Sequence, residues 1–159
     1  MKKGKLSSTR DSGFFADKHS NKQTEQTIQT DGHSQVLWIY SDEQGNSHLE
    51  ELAIATEPTG NAREAKPIPA TGALIREYQP QFVRDWHTAP SRQFAITIVG
   101  ALDIEVSGGV RRHIHKGELV FLEDTKGKGH ITRMEGPVVN FFIQVPDNFD
   151  VLSWSRGKY

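Results

Sequence analysis

The stretch Asp85-Trp86-His87-Thr88-Ala89-Pro90-Ser91-Arg92-Gln93-Phe94-Ala95-Ile96-Thr97-Ile98-Val99-Gly100 decides how this chain folds. Its second half, residues 93–99, is a β-prone run with apolar side chains at both parities. Alternate side chains of a strand point to opposite sides, so such a run meets water on neither. Its first half belongs to a shorter strand over 82–88, and Pro90 marks the turn between the two.

Outward from this pair, short strands fall at 73–78, 102–106, 110–115, 119–122, 130–134 and 138–145. Spacings near ten residues, with no long helical pattern between them, argue for an all-β barrel or sandwich. Residues 119–122 and 138–143 repeat the two-sided apolar pattern. Their inner side fills the barrel. Their outer side needs cover from the early strands or from a second subunit, so a homodimer is expected. The run 36–40 is a further strand, closed by a turn over 41–46. The stretch 48–55 suits a helix face through Leu49, Leu52 and Ala53, or a strand face through Leu52 and Ile54. A strand is preferred because its partner is one turn away. Residues 56–71 read as loop and the segment after Pro146 as irregular. The organisation expected is a disordered polar tail over 1–35, a barrel domain over 36–148 and a C-terminal tail over 149–159.

Composition excludes several classes. A net charge of -1 and a pI near 6.7 give no field that would recruit nucleic acid or anionic lipid. There is no cysteine, which removes disulfides, thiolate nucleophiles and thiolate metal sites together. No window approaches the roughly 18 apolar residues of a membrane span, and the first residues lack the apolar core of a secretory signal. A cytoplasmic protein without membrane or nucleic-acid partners is the expectation.

Seven histidines remain as chemistry-bearing candidates. His19 and His33 fall in the tail. His113-Ile114-His115 places two imidazoles on one strand face, but Arg111 and Arg112 precede the pair and two cations oppose a bound metal ion. That pair reads as an exposed strand end.

The stretch from Trp86 to Gly100 resembles the first motif of the cupin superfamily. That motif is His-x-His, three or four residues, Glu, six residues, Gly. His87 takes the first histidine position, Gln93 stands where the Glu belongs, and Gly100 closes the motif. Ala89 replaces the second histidine. The second motif opens at Gly117-Glu118-Leu119-Val120-Phe121-Leu122 and reaches its histidine at His130, through a longer glycine-rich loop over 123–129. Its closing Asn is absent, since Met134 stands there.

The resemblance implies a single-domain cupin jelly-roll barrel, a double-stranded β-helix like that of the RmlC-type cupins. It also implies one divalent transition metal (Fe, Mn, Ni or Zn) held by His87, Gln93 and His130. Imidazole nitrogens and a neutral amide oxygen suit such ions. The set is one ligand and one negative charge short of the usual cupin complement. Trp86 reads as rim packing or a substrate platform. Thr97 and Thr132 have the inward parity of their strands, and Asn140 joins them if its parity agrees. Glu123 and Asp124 are loop carboxylates that could supply the missing charge or a general base. Trp86, Thr97, Glu123 and Thr132 are therefore the substrate-facing candidates. Two functions fit: a metal-dependent oxidoreductase or isomerase acting on a small organic molecule, and a non-catalytic small-ligand sensor with a degenerate or metal-free site. A cupin fold alone does not choose between them.

Overall fold

A computed structural model of the chain describes residues 34–156. The tail expected over 1–35 lies outside them except for Ser34 and Gln35, and Gln35 opens the first strand. Twelve strands follow. In chain order they are β1 (Gln35–Ser41), β2 (Ser47–Ala53), β3 (Glu57–Thr59), β4 (Ala62–Glu64), β5 (Gly72–Tyr78) and β6 (Val83–His87). Then come β7 (Gln93–Val99), β8 (Leu102–Glu105), β9 (Arg111–Ile114), β10 (Leu119–Leu122), β11 (His130–Met134) and β12 (Val138–Gln144). The strand reading of 48–55 holds, and every strand expected from 73 onward is present within a residue or two of its expected ends. The loop expected over 56–71 carries the small β3–β4 hairpin, whose short, fully exposed strands leave no apolar alternation to detect.

Two sheets form a jelly-roll sandwich, the all-β class expected. The larger runs β2-β1-β10-β7-β12-β5 and the smaller β6-β11-β8-β9. Successive strands cross between sheets, so β7, β10 and β12 face β8, β9 and β11 across a shared interior. Ala95, Val120, Leu122 and Phe142 from one side meet Leu102, Ile104, Ile114 and Met134 from the other. Among the described strands only β1 and β10 pair in parallel, Val36 opposite Leu119 through Ile39 opposite Leu122.

The outer face of the larger sheet has a core of its own. Phe94 and Phe121 are fully buried there, their ring centroids 4.7 Å apart, beneath Phe149, Val151 and Trp154. These last three come from the segment expected to be irregular. It holds a single helical turn, α1 (Val151–Ser155), capped by Asp150, whose Oδ1 accepts from the Ser153 amide at 3.1 Å. Five residues do not sustain a helix alone. Burial of Val151 and Trp154, with the indole Nε1 donating to the Lys66 carbonyl at 2.9 Å, holds it in place. The cover sought from the early strands or a second subunit is thus supplied in part by the chain's own C-terminal segment. Further along the same face, Ile75 and Ile98 remain 62% and 39% exposed, beside the half-buried Ile96 and Phe141. An expected second subunit would have that surface to pack on.

Trp154→Ala is expected to cost about 3–5 kcal/mol by deleting a buried aromatic from this second core. Urea unfolding should show a lower midpoint at unchanged slope; a loss below about 1 kcal/mol would mean α1 is not integral to the fold.

Candidate functional site

A narrow cavity lies between the two sheets, lined by His87, His130, Gln93, Thr97, Thr132 and Asn140. Strands β6 and β11 form its histidine wall. His130 pairs with His87, but two residues further along β11 Thr132 pairs with Arg84, three residues from His87. The extra residue is a β-bulge in β6 at Asp85–Trp86. Strand alternation alone would send Arg84 and His87 to opposite faces; the bulge turns both into the cavity. Such bulges re-aim side chains in this way beside many sites.

Each histidine has its Nδ1 fixed by an acceptor. His87 Nδ1 lies 2.8 Å from the Asp85 carbonyl, inside the bulge. His130 Nδ1 lies 2.6 Å from Asp124 Oδ2, and both residues are almost fully buried. An acceptor on Nδ1 places the ring proton there, so in the neutral ring Nε2 keeps its lone pair. Neither Nε2 has a partner among the described residues. The ring centroids are 4.3 Å apart and tilted by 58°, so the two imidazoles are neighbours in the cavity wall. Burial pushes His87 down to about 4, and repulsion from the His130 ring whenever that ring is protonated, and from Arg84 and Arg76, adds to the effect against the Asp85 carbonyl. His87 is therefore a neutral base at physiological pH.

Gln93, Thr97 and Thr132 are buried and line the cavity, the two threonines on the side of their strands that the sequence pattern marked as inward. Asn140 joins them opposite Thr97 on β7, its Oδ1 buried without a hydrogen-bond partner. Two of the expected residues do not line it. Trp86 sits under Lys128, the Nζ atom 3.9 Å from the ring centroid. Glu123 turns to the other side of its strand, where it accepts from Trp38 Nε1 at 2.7 Å and pairs with Arg92. Asp124 is the carboxylate that matters, and it stands behind His130 rather than at the mouth.

Sequence reasoning missed Arg76 and Arg84. Arg76 lies on an inverted strand: in β5 Leu74, Arg76 and Tyr78 turn inward while Ala73, Ile75 and Glu77 are exposed. Placing a charge inside and an isoleucine outside is the one signal that was available. Arg84 left none, because a bulge does not alter the residue pattern.

On the far side of the smaller sheet, His113 is joined by Asp103 and Glu135. Their donor atoms all lie within 4.8 Å of one another, a group able in principle to hold a metal ion. His113 Nδ1 is 2.8 Å from Asp103 Oδ1, and that hydrogen bond raises the imidazole above its usual range. His115 is more exposed and pairs with Glu118 instead.

No protein-family model and no curated protein matches this chain. Among solved structures it is similar to protein NMB1881 from Neisseria meningitidis, at 18% identity over 52% of this chain and 84% of that one, with a TM-score of 0.40. A putative ethanolamine utilization protein Q from Salmonella typhimurium is 12% identical over 73% and 98%, TM-score 0.37. The cupin domain of an XRE-family transcriptional regulator from Enterobacter cloacae is 16% identical over 72% and 98%, TM-score 0.27. At such scores none of these likenesses bears on the chemistry of the cavity.

His87 should titrate near pH 4 and His113 above 6.5, read from their ring proton resonances in an NMR pH series. Because the folded value of His87 lies below the unfolded one, the unfolded chain binds more protons as pH falls from about 6.5 to 4, and stability falls with it. His87→Gln should flatten that decline. A wild-type His87 midpoint at or above 6.5 would contradict the buried, cation-flanked environment.

Proposed function

We propose that this chain is a cupin-type barrel that binds a small organic molecule at the His87–His130 pair, with a divalent transition metal held by the two Nε2 atoms and the Gln93 amide. The observation that carries this reading is the double fixing of Nδ1, by Asp124 and by the Asp85 carbonyl, which leaves the Nε2 lone pairs of two neighbouring cavity-lining imidazoles without a partner among the described residues. Buried carboxylates behind metal-ligating imidazoles orient the rings and raise their basicity. Gln93, almost fully buried, has no side-chain partner among the described residues and is free to turn its oxygen to the same point.

The donors fit a borderline transition ion in type and number only if the bound molecule completes the set. No Asp or Glu lines the cavity among the described residues, and no third carboxylate or imidazole groups with His87 and His130. A bound metal would polarise an oxygen of the ligand, the Lewis-acid contribution common to such sites. The protein residues would then hold and orient that ligand: Thr97, Thr132 and Asn140 by hydrogen bonds, the apolar inner walls by excluding water. A metal-free ligand-binding barrel is the second reading, and the absence of acidic lining favours it.

Titration of the full chain with Mn(II), Ni(II) or Zn(II) separates these. One tight equivalent is expected, lost in His130→Ala and kept when both His113 and His115 are changed to Ala. Gln93→Glu should tighten it by on the order of tenfold, about 1.4 kcal/mol, by supplying the missing charge. If wild type and Gln93→Glu bind no metal, the metal-free reading stands. If His113→Ala abolishes binding while His130→Ala does not, the ion belongs to the surface group instead.

A further inference from the structure

We infer that the molecule held in the cavity carries a carboxylate, and that Arg76 and Arg84 receive it. The inference rests on the reading of the cavity as a ligand site but not on a metal being there. Arg76 enters from β5 in the larger sheet and Arg84 from β6 in the smaller, so the two guanidinium groups reach one space from different sheets. Arg76 touches only neutral groups: its Nη1 is 3.4 Å from the Tyr78 hydroxyl and its guanidinium carbon 5.1 Å from the centre of the Phe142 ring. Arg84 has no ion pair or hydrogen-bonded side-chain partner among the described residues. The other arginines of the two sheets are satisfied, Arg111 and Arg133 by Glu105 and Arg112 by Glu51 and Glu118.

An arginine cannot lose its proton to escape burial, so a guanidinium drawn into a half-dry cavity calls for a counter-anion. The cavity provides none, and its two imidazoles add donors or lone pairs but no negative charge. Asn140 adds an amide to the same space, its Oδ1 buried without a partner among the described residues. It stands opposite Arg76 on the neighbouring strand, and a half-turn of its amide offers Nδ2 to an oxygen held there. Beside Gln93, Thr97 and Thr132, the inner surface has an apolar part formed by Ile104, Leu122, Met134 and Phe142. A planar anionic head on an apolar body matches this division, because the guanidinium fork meets a carboxylate with two parallel hydrogen bonds.

Benzoate is a suitable probe and benzamide its neutral counterpart, each titrated calorimetrically into the full chain, both treated with EDTA and loaded with Mn(II). Benzoate should bind and benzamide should not. Arg76→Gln and Arg84→Gln should each weaken benzoate at least tenfold, with Arg84→Lys between Arg84→Gln and wild type because it keeps charge without the fork. Equal binding of benzoate and benzamide, or of neither, would overturn the inference even if every variant failed to fold. Inorganic phosphate binding more tightly than benzoate would also overturn it, assigning the arginines to a tetrahedral oxyanion. Benzoate binding in the EDTA-treated chain without any metal uptake would retire the metal and leave the carboxylate in place. Metal uptake without benzoate binding would do the reverse.

Discussion

The carbonyl of His87 occupies the place where a side chain on residue 129 would have to begin. A Cβ there would lie 2.0 Å from that oxygen, and Gly129 also takes a φ of +71° that other residues rarely adopt. Glycine is therefore what lets β11 start directly against the end of β6. From this contact follow the His87–His130 pairing, the position of the bulge one step back along β6, and the entry of Arg84 into the cavity. The loop leading to it is pinned in the same manner. Gly127 crosses the β1–β2 turn so closely that a Cβ would lie 2.4 Å from the Gly45 carbonyl, and the Lys128 amide donates to that carbonyl at 2.9 Å. The glycine-rich segment is thus a clamp that brings two strands from distant parts of the sequence to one mouth.

Behind the clamp the charges are sorted by side. Acidic groups sit on the outer surfaces, where they pair with Arg92, Arg111, Arg112 and Arg133. The exception is Asp124, fully buried and committed to His130. The interior keeps arginines, imidazoles and amides. Such an arrangement costs stability when empty, since buried polar groups without partners are unfavourable. It is consistent with a fold whose second core, under Trp154, supplies packing away from the site, so that the cavity itself need not be filled.

The fold was legible because its strands are short, strongly apolar and regularly spaced. The runs at Phe94, Phe121 and Phe142 carry a two-sided pattern that only a doubly covered sheet satisfies. The site was legible in part. His87, Gln93, Thr97, His130 and Thr132 share the cavity because parity and the glycine before His130 place them there. What escaped depends on features that the residue pattern does not encode. A bulge shifts parity without changing composition, which hid Arg84; Trp86 is outside because it neighbours the inward His87. Glu123 and Asp124 are neighbours of similar chemistry on opposite sides of the chain, and only packing decides which faces inward. The helical turn of α1 is too short to show a period, and its burial depends on partners more than fifty residues away.

The bulge is where the account is most exposed, because the two-arginine cavity beside the histidine pair requires it. An experimental crystal structure of the full chain, read at β6, tests it directly. Four residues from Arg84 to His87 should lie opposite three from Thr132 to His130, with the Arg84 guanidinium and the His87 imidazole both inside the barrel. A regular ladder with Arg84 in solvent would contradict the account and leave Arg76 without the second guanidinium that the carboxylate site requires.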